Sequence, residues 1–177
     1  MRVDAAGDFE ARLSAVEQAV ATLTSGAGAL APSAARPGLS PEEALWALEG
    51  LRARAPEGGA VLYTGVVDLP AGGTVQWQHG RAASDVFEQD WAEQAGALTA
   101  LGHPVRLQIL HAVLHRTVTV AALVEKLETG TSGQVYHHLK ELTAAGWLTS
   151  GKRGVYEVPA ARIVPLLAIL VAAGTPG

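Results

Sequence analysis

The side chains best able to do specific chemistry in this 177-residue chain are its six histidines and one polar run, Thr131-Ser-Gly-Gln-Val-Tyr-His-His-Leu-Lys140. His111 and His115 stand four apart, which puts both imidazoles on one side of a helix, where a pair can share a zinc ion. A metalloprotease needs a glutamate directly after the first histidine, and Ala112 stands there. No third ligand suggests itself, so the pair reads as ordinary packing and the chain is assigned no metal and no other cofactor. A nucleophile, a base and an orienting group cannot be assembled without arbitrary choices, so no enzyme activity is expected.

The polar run offers a different chemistry. Thr131 followed three residues later by Gln134 is a capping box, which starts a helix, and Gly146 supplies its stop. At 100° per residue Val135, Leu139 and Leu142 form one stripe, while Gly133, Tyr136, His137, Lys140 and Ala144 gather on the opposite side. One face packs and the other can read base edges and phosphates. The candidate DNA contacts on this helix are Thr131, Ser132, Gly133, Gln134, Tyr136, His137 and Lys140. Gln134 either completes the cap or reaches adenine through its amide. His138 projects nearer the apolar stripe and reads as a hydrogen-bonded structural histidine.

Such a helix must be held by its neighbours. Residues 119–127 form a short apolar helix, and Glu128-Thr-Gly130 is long enough only for a tight turn, which is a helix-turn-helix layout. Residues 147–158 are two β-prone runs around a Gly-framed turn that lifts Lys152 and Arg153 to the tip of a hairpin wing, adding two cations to the candidate DNA contacts. The runs Leu101-Gly-His-Pro-Val-Arg-Leu-Gln-Ile-Leu110, Val135-Tyr-His-His-Leu-Lys-Glu-Leu142 and Ala145-Gly-Trp-Leu148 resemble the ArsR/SmtB family of winged-helix transcriptional regulators. The resemblance spans about half of the chain, residues 85–175. It implies a dimeric DNA-binding regulator of the branch that does not sense metals. The paired cysteines that metal sensing would place near Val118 to Val120 are absent, and no His, Asp or Glu follows Arg162.

Composition agrees with a globular, membrane-free reading: 49% of residues are apolar, 17% are charged and none is cysteine. The absence of cysteine excludes disulfides and thiolate metal sites. No apolar run approaches the roughly 18 residues of a membrane-spanning helix. The opening Met1-Arg-Val-Asp-Ala-Ala-Gly-Asp8 lacks an apolar signal region, so the expected location is the cytoplasm. Net charge is −4, and from Ser84 onward seven basic side chains meet eight acidic ones. Only the proposed reading helix and wing are locally positive, so phosphate contacts should be few.

Four segments are expected. Residues 1–23 carry Phe9, Leu13, Val16, Val20 and Leu23 at heptad spacing, an amphipathic or coiled-coil helix. Residues 24–39, rich in Gly, Ala, Ser and Pro, read as a flexible linker. Residues 40–83 form an extension: a helix opened by Ser40-Pro-Glu-Glu43 and reaching Ala55, then a hairpin of residues 60–67 and 74–79 that buries Val75, Trp77 and His79. Residues 84–177 form the winged helix. There Ser84 caps a helix whose buried stripe is Phe87, Trp91, Ala95, Leu98 and Leu101; residues 104–115 form the central helix; and the helical run 160–173 is broken or restarted by Pro165.

The terminal run carries more apolar surface than a chain end can cover, so a second subunit is the natural partner. Candidate dimer contacts are Phe87, Trp91, Leu98, Ile163, Leu166, Leu167 and Leu170. The fold class is mainly α with small β hairpins (α+β). The expected function is a homodimeric, sequence-specific transcriptional regulator that binds double-stranded DNA at an inverted-repeat operator. Two other functions fit the same residues: a degenerate winged helix used for protein contacts, and a sensor whose 40–83 extension receives a small-molecule effector.

Overall fold

The computed structural model describes residues 45–127, 131–151 and 154–174. The heptad helix of residues 1–23, the linker 24–39, the Ser40 helix start, the turn 128–130 and the wing-tip pair Lys152 and Arg153 lie outside the described residues.

The extension helix, α1 (Trp46–Arg52), ends three residues before Ala55, and an ion pair between Arg52 and Glu49 at 2.9 Å spans its last turn. Strands β1 (Ala60–Asp68) and β2 (Thr74–Ala82) then pair antiparallel over their full length, with Tyr63 opposite His79, Gly65 opposite Trp77 and Val67 opposite Val75. The connection closes through Leu69 N–H donating to the Gly73 carbonyl at 2.9 Å. Gly72 and Gly73 both take positive φ there, a region that side chains with a Cβ avoid.

β2 runs three residues further than its alternation predicts and passes straight into α2 (Ala83–Glu88). The described residues from Ala47 onward cluster as one compact unit. The long helix expected from Ser84 to Leu101 is also corrected. α2 stops at Glu88, a 3-10 turn covers Trp91–Gln94, and α3 (Ala95–Leu101) follows. Asp90 causes the break: its carboxylate accepts the Ala92 N–H at 2.9 Å, which starts a new turn. Ser84 lies inside α2 and caps nothing; Ala82 holds the cap position.

The central helix is α4 (Pro104–Leu114), with Ile109, Leu110, Ala112 and Val113 all buried. α5 (Val120–Leu127) and α6 (Ser132–Ala144) pack on it through Leu123, Val135, Leu139 and Leu142. Trp147 and Leu148 complete this core from the segment after α6. Two-residue strands β3 (Thr149–Ser150) and β4 (Tyr156–Glu157) form the wing, and a bridge between Thr119 and Val155 fastens it to the start of α5.

The last helix, α7 (Ala160–Ala173), is continuous through Pro165. The proline sits early enough in the helix that it costs one ladder bond, to the Ala161 carbonyl, without ending it. α7 packs on the Tyr63, Gly65 and Val67 face of the hairpin. One helix cannot cover both strands, so the predicted burial of Trp77 and His79 is incomplete and both stay exposed.

Gly65 is what allows the close approach, because a Cβ there would lie 2.8 Å from Val164 Cγ1. Val164 is buried and β-branched, so it has little freedom to yield. Gly65→Ala is expected to destabilise the unit by about 1–3 kcal/mol, the usual cost of overpacking. Combining it with Val164→Ala should return part of that loss relative to the sum of the single changes, as read from urea unfolding midpoints. Simple additivity would show that the contact does not govern the packing.

Candidate nucleic-acid interface

α6 begins at Thr131, whose backbone N–H donates to Gln134 Oε1 at 3.1 Å, the capping-box arm that the spacing predicts. Its amide oxygen is therefore occupied, which leaves Gln134 the NH₂ group for any other partner. From this start the apolar residues fall inward: Val135, Leu139 and Leu142 are buried, while Ser132, Gly133, Gln134, Tyr136, His137 and Lys140 are exposed. Gly146 takes positive φ, and the Trp147 N–H donates to the Leu142 carbonyl at 2.9 Å, closing the helix. The outer face thus carries hydroxyl, amide, phenol, imidazole and ammonium groups, all open to solvent, on a helix whose inner face is locked into the core.

α5 crosses beneath it. Thr119 Oγ1 accepts the Ala122 N–H at 3.3 Å and starts α5, and Leu123 anchors the helix in the core. β3 and β4 lie beyond the end of α6, so the wing and the outward face of α6 belong to one frame. Lys152 and Arg153 lie outside the described residues, so of the three proposed phosphate-binding cations only Lys140 has a described place.

One participant was not anticipated from the sequence. His103 caps α4, its Nδ1 accepting the Val105 N–H at 3.2 Å, and its ring lies 4.6 Å from that of His138 on α6. Its position before Pro104, at a helix start, was the available signal. His138 was expected to be hydrogen-bonded, yet its Nδ1 is buried without a partner among the described residues. The ring instead makes tilted contacts with the rings of His103 and His137, at 4.6 Å and 5.6 Å between centroids.

Burial is the main cause that lowers the His138 pKa below its ordinary 6.5, helped by the positive charges of His103, His137 and Arg106 and opposed by Glu141. The unfolded chain therefore binds the proton more readily than the folded one. The stability contributed by neutral His138 is complete above about pH 6.5 and is lost as pH falls below that value toward the lower folded pKa. The thermal midpoint should fall between pH 7 and 5.5, and His138→Leu should reduce that slope. An unchanged slope in the variant would remove His138 as the cause.

The other histidine pair does not converge on a site. The His111 and His115 rings stack at 4.2 Å, and His115 Nδ1 lies 2.8 Å from the His111 carbonyl. Among the described residues no group of three or more His, Asp or Glu side chains is placed to hold a metal ion.

The proposed dimer contacts separate into two groups. Phe87, Trp91 and Leu98 are 74%, 60% and 54% exposed, so the stripe expected to be buried is open to solvent at these positions and at Ala95, while Leu101 at its end is buried in the core. Leu170 is exposed too, and Leu167 is half-buried. Ile163 and Leu166, at 3% and 2% exposure, are core residues of their own chain, which corrects their assignment to a subunit contact. α7 faces inward along this edge because it packs on the hairpin and Leu166 joins the main core.

A buried α4, an α5 anchored in the core by Leu123, an outward polar α6 and a paired wing define a winged helix-turn-helix unit. Residues 101–150 match the family model of a helix-turn-helix domain, which suggests a DNA-binding regulator. A comparison with curated proteins found no match to the chain. Among the described residues no helix is long and apolar enough to cross a membrane.

Proposed function

We propose that the protein is a sequence-specific transcriptional regulator of the ArsR-like, non-metal-sensing kind, binding an inverted-repeat operator as a homodimer. The observation that carries this reading is the outer face of α6, where Ser132, Tyr136, His137 and Lys140 stand exposed on a helix with a buried inner stripe. A single winged helix presents one reading helix to one major groove, and two copies related by a two-fold axis read two half-sites about one DNA turn apart. The exposed Phe87, Trp91 and Leu98 supply apolar surface suited to bringing those copies together. The reading assigns no chemical reaction to the chain and places it with the DNA it binds, in the cytoplasm.

Genome-wide mapping of DNA bound by the protein tests this directly. A reproducible inverted repeat is the expected result; the absence of any shared sequence would favour a winged helix used for protein contacts. Zinc, copper or arsenite at micromolar levels should leave binding to that repeat unchanged, and so should a chelator. Release of DNA by any of these ions, lost on replacing His111 and His115, would overturn the non-metal-sensing assignment.

A further inference from the structure

We propose that the groove between β1, α3 and α7 binds an anionic amphiphile, a carboxylate on an aliphatic or aromatic body, with Arg162 holding the carboxylate. The proposal deepens the regulator reading by naming a signal for it. The groove has a volume of about 520 Å³, within the range of small-molecule sites, and its walls are mainly apolar, built from Ala97, Leu98, Pro165, Ala168 and Ile169. Among the described residues no acidic side chain lines it.

Arg162 is the feature that gives the groove a chemical preference. Its guanidinium carbon lies over the Trp147 ring, 4.9 Å from the centroid, a cation–π contact that holds the head group at the groove wall. Among the described residues the one ion pair is Arg52 with Glu49, and no acceptor takes a hydrogen bond from the Arg162 side chain. A half-buried guanidinium with apolar neighbours and, among the described residues, no hydrogen-bond acceptor suits a carboxylate, which it can meet with two parallel hydrogen bonds. Trp147 is 2% exposed and its Nε1–H donates to the Ala97 carbonyl at 2.9 Å, so it supports the guanidinium from within the core. The Tyr63 hydroxyl and the Gln94 amide complete the polar lining and bring the hairpin and the 3-10 turn into the site.

The location makes such a ligand relevant to DNA. Trp147 directly follows Gly146, the stop of α6, and precedes β3, and a Cβ on Gly146 would lie 3.4 Å from Arg162 Nη2. A ligand on Arg162 therefore acts at the joint between the reading helix and the wing. Any change it makes in operator affinity must be matched by an equal change that DNA makes in ligand affinity. Leu98, exposed at the rim, is also a proposed dimer contact, so the second copy is the competing occupant of the groove.

Calorimetric titration of the full chain without DNA tests the site, with octanoate and 4-phenylbutanoate as probes, octanol as the neutral counterpart and inorganic phosphate as the bare anion. One carboxylate bound per chain is expected, with octanol weaker by about tenfold or more, as loss of a charge-assisted hydrogen bond requires, and phosphate silent. Arg162→Gln should weaken octanoate by a similar factor and leave octanol unchanged. Ala168→Phe, which fills the groove while leaving Arg162 in place, should abolish binding of both. Circular dichroism confirms that each variant is folded.

Failure of both carboxylates to bind at millimolar concentration, or equal octanoate affinity in Arg162→Gln, would overturn the proposal. So would binding that appears only when the protein is diluted to monomer, which would assign the groove to the second copy. Because these titrations contain no DNA, their failure leaves the operator reading standing, and an operator that cannot be found leaves the ligand site standing.

Discussion

Simultaneous replacement of Lys140, Lys152 and Arg153 by alanine is expected to weaken binding to every DNA sequence alike, by at least about a hundredfold at 0.1 M salt. The winged-helix part of the chain is close to neutral, so it has no broad basic surface to compensate for lost local cations. Each phosphate contact releases counterions and adds about 0.9 to the slope of log affinity against log salt. Three cations per protomer, six per dimer, should therefore flatten the slope by about 5. Alanine at Ser132, Tyr136 or His137 should act differently, changing which base pairs are preferred, by about 1–3 kcal/mol per position, while leaving the salt slope alone. Gln134→Ala should mainly cost helix-start stability, about 1 kcal/mol, because its amide oxygen serves Thr131. Unchanged DNA affinity in the triple variant at fixed salt would show that α6 and the wing are not the reading surface.

Introducing charge on the exposed apolar stripe should have an effect of comparable size. Phe87→Glu with Leu98→Glu is expected to yield a folded monomer that has lost operator affinity. Both side chains are more than half exposed in the single chain, so the substitution leaves the core of α4, α5 and α6 untouched. Burying each against a second copy contributes roughly 1.5–3 kcal/mol, which glutamate would forfeit. A monomer engages one half-site with few cations, and the loss of the second half-site removes half of the contacts at once. Trp91 is a poorer target because its Nε1–H donates to the Val86 carbonyl at 2.7 Å and supports the local fold. Ile163 and Leu166 are unsuitable for the same reason on a larger scale, since changing them would unmake the core. Sedimentation that finds the unmodified protein monomeric at concentrations of about tens of micromolar, or the double variant still dimeric, would refute this arrangement.

Much of the reading helix was legible without coordinates, because its determinants are local. A capping pair three residues apart, an apolar stripe with helical period and a glycine stop each act within a few residues of chain, and each appears where the spacing places it. The same holds for the hairpin of β1 and β2 and for the all-round apolar α4, which could only be central.

The sequence by itself therefore determined the class of fold, the position of α6 and which of its faces turns outward. Only the tertiary structure decided which apolar surfaces one chain covers for itself. Leu166 and Phe87 look alike as apolar residues on apolar helices, yet the first is sealed within its own chain and the second is left open. The difference depends on Gly65 admitting Val164 to the hairpin and on Asp90 ending α2, two contacts that join or redirect elements rather than form them. The contacts of Arg162 with Trp147 and of His103 with His138 have the same origin. Side chains 15 and 35 residues apart meet only because whole elements have packed, and no period or spacing in the chain encodes that meeting.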